Sequence, residues 1–244
     1  MILNTAFVDF IRTHEQAGAD ISVMYNRDGI KYGRPNYIFD VDRKGMVTDM
    51  LFNAESPKSN KCSLGIVVLR RNLLIELISD MMSHGEQYFG VHTLVKRFNV
   101  LKVRAIEYKG LVLRINDIQT YFDASMRLLD HNTRADLFWK GSPIYTKVKD
   151  EAPTLYQQGC DVSNALVSDG CRIMGSVHDS ILFRGVMVSK NSTVKNCVIM
   201  QDVHIADNCV LENVILDKNA VIRPGTRLVG HSNYPVVIDK GAIV

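Results

Sequence analysis

Between Val177 and Arg227 the apolar residues return about every six positions. The stretch stacks as three lines of seventeen residues, VHDSILFRGVMVSKNST, VKNCVIMQDVHIADNCV and LENVILDKNAVIRPGTR, which agree column by column. Val177, Val194 and Leu211 share one column; Leu182, Ile199 and Leu216 share a second; Val188, Ile205 and Ile222 share a third. A step of about six is too long for a helix face and too sparse for alternating strands, but it suits a chain that turns a corner every half-dozen residues. Asp179, Asn196 and Asn213 fill a further column, as do Asn191, Asn208 and Gly225, residue types that tolerate the left-handed backbone of a tight corner. The pattern predicts a left-handed parallel β-helix of hexapeptide repeats. A less regular coil precedes it, with Val162, Leu166, Val167, Cys171 and Ile173 in inward slots, and a last coil starts at Leu228 and slips register near Tyr234 and Pro235 before Val236, Val237 and Ile238. That makes about five coils, enough to bury a continuous column.

The first half follows other periods. Asn4 to Gly18 reads as a helix capped by Asn4 or Thr5, with Phe7, Phe10, Ile11 and Ala17 on one face and Gly18 as its stop. Ile21 to Tyr25 is extended. Tyr37 to Val41 and Met46 to Phe52 flank the turn 42–45 as a hairpin, and Leu64 to Leu69 is a continuous apolar strand. Asn72 leads into a helix carrying Leu73, Leu74, Leu77, Ile78 and Met81. Val103 to Tyr108 and Leu111 to Ile115 around Lys109-Gly110 predict a second hairpin, and Asn116-Asp117 caps a helix reaching about Asp130. Helices alternating with strands predict an α/β layer over residues 1–131. Periodicity lapses over 132–159, where Pro143 and Pro153 punctuate a strap leading to the solenoid of 160–244. Trp139, the only tryptophan, is expected to anchor the strap on one domain, with an interface role as the alternative.

Composition narrows the function classes. The 244 residues carry a net charge of +3 with acids and bases interspersed, which gives no footprint for nucleic acid or an anionic membrane. The apolar runs are far too short for a membrane helix, and neither a basic n-region nor an apolar h-region opens the chain. Five cysteines without metal-ligand spacing read as reduced thiols, and the expected location is the cytoplasm.

The residues also carry a resemblance. NTAFVDFIRTHEQAGADISVMY (Asn4 to Tyr25), the Ser63-Leu64-Gly65-Ile66 strand, Asn116 to Thr120 and the coils from Asn213 to Val244 resemble the glucose-1-phosphate adenylyltransferase (ADP-glucose pyrophosphorylase) family. Within it the chain is most similar to the GlgD-type subunit, the divergent partner of the catalytic glycogen-synthesis enzyme; PIYTKVKDEAPT (Pro143 to Thr154) and Tyr234 to Val237 are the most distinctive strings. The resemblance implies part of a nucleotidyltransferase Rossmann-like domain ahead of the β-helix. It also implies a chain that starts about a third of the way into a full-length subunit. A sheet that lacked its central strands would carry an open edge and self-associate.

Departures from the family pattern bear on activity. The glycine-rich phosphate loop has no counterpart: Gly29 and Gly33 do not lead a strand into a helix, and Ala6 stands where a further acid is usual. Where active members carry Glu-Lys-Pro, this chain has Glu55-Ser56-Pro57, so the cation for the sugar phosphate is replaced by serine, with Lys58 one position on. Asp117 matches an acid that helps to hold the metal in active members, and it is equally a helix N-cap. Glu55, Ser63 and Asp117 are thus the candidate remnant of a sugar-phosphate pocket. No catalytic residue and no metal ligand set is assigned. The family reaction uses ATP and Mg²⁺, whereas this chain is expected to bind neither alone. The expected role is that of a non-catalytic partner of a catalytic homologue in a hetero-oligomer, a tetramer by resemblance, with a homo-oligomer as the alternative. A competing reading is a hexapeptide acyltransferase using a histidine such as His178 or His204 as base; another is an active nucleotidyltransferase once the missing N-terminal region is restored.

Overall fold

The computed structural model describes residues 1–27, 37–54, 58–139, 143–146 and 148–244. It separates into two compact units, Met1–Arg114 and Ile115–Val244.

The first unit is a mixed α/β layer. In chain order it comprises β1 (Ile2–Leu3), α1 (Phe7–Ala17), β2 (Ile21–Asn26), β3 (Tyr37–Val41), β4 (Val47–Phe52), β5 (Cys62–Leu69), α2 (Arg71–Ser83), a π-helical segment (Phe89–Val95), β6 (Val103–Glu107) and β7 (Val112–Leu113). Five strands form one sheet in the order β4-β3-β5-β2-β6. β2 lies between β5 and β6 and is buried along its whole length, its polar Ser22 and Asn26 included. It pairs antiparallel with β5 and parallel with β6. The two faces are covered separately: Leu77 of α2 packs with Ile21, Val23, Phe39 and Val103, while Phe10 of α1 packs with Met24, Leu64 and Val112.

Two expectations for this unit are corrected. Residues 103–115 do not form a hairpin, because β6 joins β2 in the large sheet and β7 pairs with β1 in a separate two-stranded sheet. A turn-like Lys109-Gly110 sets a local reversal, but burial beside β2 decides the partner. The cap of α1 is Ala6, which offers no side-chain bond, and the buried face is Phe10 and His14, leaving Phe7 and Ile11 exposed. Gly18 does end the helix, in the left-handed conformation.

The second unit is a β-solenoid with α3 (Ile118–Arg127) on its side. Its strands stack into three five-stranded parallel sheets. The register reproduces the sequence columns, with Val177 beside Val194 and Leu211, Leu182 beside Ile199 and Leu216, and Val188 beside Ile205 and Ile222. All nine are fully buried. At the corners Asp179, Asn196, Asn213, Asn191, Asn208 and Gly225 all have positive φ, as the columns predict. A third corner column, Gly185, Asp202 and Asn219, was not read from the sequence. Side-chain amides bond up the stack, Asn196 to Asn213 and Asn191 to Asn208. Buried Ser180 and Ser192 accept from the backbone N–H groups of Cys197 and Cys209, so the interior holds polar corners without unsatisfied amides there. Leu166, expected inward, stacks instead on the outer column that continues through Ile181, Val198 and Ile215. On that column Val198 and Ile215 meet Phe122 of α3, so the helix that sequence reading grouped with the α/β part packs on the solenoid. Beyond α3 the chain makes a short helix, His131–Arg134, and a π-helical turn that buries Leu137. Trp139 is 63% exposed, touching His131 edge-on, so the anchoring role falls to Leu137.

Candidate functional site

β2 and β6 run parallel, and the carboxyl ends of parallel strands are where α/β sheets gather ligand-binding groups. The chain places a polar cluster there. Arg27, one residue past β2, donates through Nε to Glu107 Oε1 at 2.8 Å and through Nη2 to Oε2 at 3.1 Å, a two-pronged pair closing the end of β6. The Tyr25 hydroxyl donates to the same carboxylate at 3.3 Å. Hydrogen bonding from Arg27 holds the Glu107 carboxyl below the usual range, while burial, and then the nearby Glu107 charge, push the Tyr25 phenol up. Glu107 is therefore a weak base, ionised and neutralised by its partner.

Arg114 follows β7 and reaches into the same end of the sheet. Its Nη2 donates to buried Asn26 Oδ1 at 3.0 Å and to the Ser63 carbonyl at 2.9 Å. Burial lowers its pKa, and its buried Nε finds no partner among the described residues. A half-buried guanidinium whose buried Nε is unspent is suited to an anionic or hydroxyl oxygen. Arg27, Glu107 and Arg114 were not singled out from the sequence. The signal was a cation directly after an apolar strand, at Asn26-Arg27 and at Leu113-Arg114.

The three sequence-derived candidates are placed as follows. Glu55 lies outside the described residues, as do the neighbouring Ser56 and Pro57 and the glycines 29 and 33. Ser63 belongs to the first unit: its carbonyl accepts from Arg114, and its hydroxyl accepts from Gly65 N–H at 3.0 Å. Gly65, at φ 66°, is the bulge where the β2–β5 register shifts, so the Ser63 hydroxyl supports a backbone irregularity. Asp117 belongs to the second unit and caps α3. Its Oδ1 accepts from Thr120 N at 2.7 Å and from Thr120 Oγ1 at 2.8 Å, while Thr120 Oγ1 accepts from Asp117 N at 3.0 Å. The bond from the Thr120 backbone holds the Asp117 carboxyl below its ordinary value.

The described residues do not fit a Mg²⁺ site. Asp117 is engaged by its own helix, and among the described residues no three His, Cys, Asp or Glu side chains group to hold a metal. The solenoid histidines do not converge either. His178 Nδ1 lies 2.7 Å from Ser163 Oγ and its Nε2 3.6 Å from Asp161 Oδ2, and His204 lies in a different sheet. No helix among the described residues is long and apolar enough to cross a membrane.

Comparison with known proteins agrees with this architecture. Residues 151–234 match the family described as GlmU-like, C-terminal hexapeptide. The chain is 37% identical over 183 residues to the glycogen biosynthesis protein GlgD of Bacillus subtilis, covering 74% of this chain and 52% of that protein. It is 39% identical over 182 residues to GlgD of Geobacillus stearothermophilus, with the same coverage. It is 28% identical over 233 residues to the glucose-1-phosphate adenylyltransferase of Fervidobacterium nodosum, covering 94% of this chain and 56% of that protein. The chain spans about half the length of the curated relatives it matches. In its hexapeptide region and over about half the length of those proteins, the chain is similar to the glucose-1-phosphate adenylyltransferase and GlgD proteins.

Proposed function

We propose that this chain acts in glycogen biosynthesis as a non-catalytic, regulatory partner of a glucose-1-phosphate adenylyltransferase, the enzyme that converts ATP and glucose 1-phosphate to ADP-glucose and pyrophosphate with Mg²⁺. The observation that carries the reading is the ranking of similarity: 37% and 39% to the two GlgD proteins, against 26–29% to the adenylyltransferases. The site supports it, because the acid expected near the metal is engaged as a helix cap and Glu107 is neutralised by Arg27. In this reading the assembly is a cytoplasmic hetero-oligomer, a tetramer by analogy, whose catalytic subunits bind the nucleotide and the metal.

The test is a pull-down of this chain with the catalytic subunit from the same source, followed by an assay of pyrophosphate release with and without it. Binding accompanied by a changed kcat or KM is expected. Absence of binding, or binding with unchanged turnover, would overturn the regulatory reading. Pyrophosphate release by this chain in isolation would overturn the non-catalytic one.

A further inference from the structure

On the first coil of the solenoid, Asp161 and Ser163 flank the inward Val162, so both point outward on one face of the strand Asp161–Ser163. The strand of the second coil, Ser176–His178, runs parallel to it and sets His178 against Ser163 in register. His178 Nδ1 lies 2.7 Å from Ser163 Oγ, and Nε2 lies 3.6 Å from Asp161 Oδ2. Val162 and Val177, stacked inward beneath them, hold the two strands in place. Three serine–histidine contacts occur among the described residues, and two of them are closed to a solute or to a proton. Ser22, beside His14, is fully buried. His84 Nδ1, beside Ser83, also faces the Asp80 carbonyl at 2.8 Å, so that nitrogen carries a proton already. Ser163 is exposed, and its hydroxyl is the one hydrogen-bond partner of His178 Nδ1 among the described residues. With that hydroxyl donating, the ring proton sits on Nε2, toward the Asp161 carboxylate. Lys195, beside His178 on the next coil, is paired with Glu212 at 3.7 Å.

We propose that Ser163 is a nucleophile that accepts an acyl group from small activated donors such as aryl esters and acyl phosphates. Its Oγ attacks the acyl carbon, and an ester bond forms as the bond to the aryloxide or phosphate leaving group breaks. The Oγ proton passes to His178 Nδ1, and Asp161 stabilises the imidazolium until the proton goes on to the leaving group or to water. The product is the chain carrying one acyl ester, which makes Ser163 a modification site. An outer sheet face admits small donors without a pocket. Ser176 supplies an internal reference: it points outward from the neighbouring strand, opposite Asp161 in register, is half-buried, and has no histidine contact among the described residues. The proposal stands on the solenoid, independently of the regulatory reading, and its failure would leave that reading in place.

The experiment treats the whole chain with p-nitrophenyl acetate near neutral pH and follows acetylation of each serine by peptide mass spectrometry. Ser163 is expected to be acetylated at least about tenfold faster than Ser176, a conservative reading of what a positioned base contributes. His178→Gln should slow Ser163 at least about tenfold and leave Ser176 unchanged. Its melting should stay that of the native chain, because the side chain lies outside the core. Asp161→Asn should slow Ser163 a few-fold at low salt, a difference that about 1 M salt removes by screening an exposed charge. A Ser163 rate no greater than that of Ser176, a native rate in His178→Gln, or acetyl found on His178 in place of Ser163 overturns the proposal. An Asp161→Asn effect that salt does not change overturns the part given to Asp161. The comparison of the two serines in the native chain decides the matter even if a variant folds poorly.

Discussion

Asn196 gives a direct test of whether the corner columns hold the solenoid by backbone conformation. Its φ is 50°, and its side chain bonds to Asn213, the next corner up the stack. Asn196→Ala leaves a Cβ in the left-handed region without the local side-chain bonding by which asparagine offsets the strain there, about 1–2 kcal/mol. It also removes a side-chain hydrogen bond with a net contribution of about 0.5–1.5 kcal/mol. The sum is a loss of about 1.5–3.5 kcal/mol. Asn196→Gly loses the same bond but no longer opposes the left-handed φ, and the greater freedom of the unfolded chain costs it about 0.4–1 kcal/mol. Its loss is therefore about 1–2.5 kcal/mol. With the shared bond cancelling, glycine should be the more stable of the two, by about 1 kcal/mol, although it removes more of the side chain. Urea melts followed by far-UV circular dichroism, with m-values compared, would measure the difference. Equal midpoints, or a more stable alanine variant, would show that the ladder of side-chain bonds and not the backbone conformation is what the column supplies.

Three further outcomes follow from the packing. Ile205→Ala, at a fully buried position in the third inward column, should destabilise the solenoid by about 2–5 kcal/mol, measured by the same melts. Burial pushes the Cys197 thiol up to about 12, so at pH 8 iodoacetamide should label it only on unfolding; peptide-resolved labelling in the native chain at the unfolded rate would contradict the buried placement. The Asp117 carboxyl is lowered in the folded state by the bonds from Thr120, so its contribution is complete at neutral pH, above the ordinary carboxylate value, and is lost as pH falls through the lowered folded value. Thermal melts taken from neutral pH downward should therefore fall more steeply for the native chain than for Asp117→Asn, and parallel curves would refute the coupling.

The solenoid was legible because its core is written locally. Each inward position meets the one a single coil away, so the period in the sequence is also the contact map, and Val177, Leu182 and Val188 fall in register with no further information. The third corner column escaped notice because Gly185, Asp202 and Asn219 share a conformation but no residue type. The α/β unit obeys a different rule. Which strand β6 joins is decided by burial beside β2, and the local turn signal at Lys109-Gly110 pointed elsewhere. Asp117 and Ser63 were found through motif positions, and the structure gives each a role in its own backbone. The groups that do converge at the carboxyl end of β2 are far apart in sequence: Arg114 reaches Asn26 across 88 residues and Ser63 across 51. No window of a sequence displays that meeting.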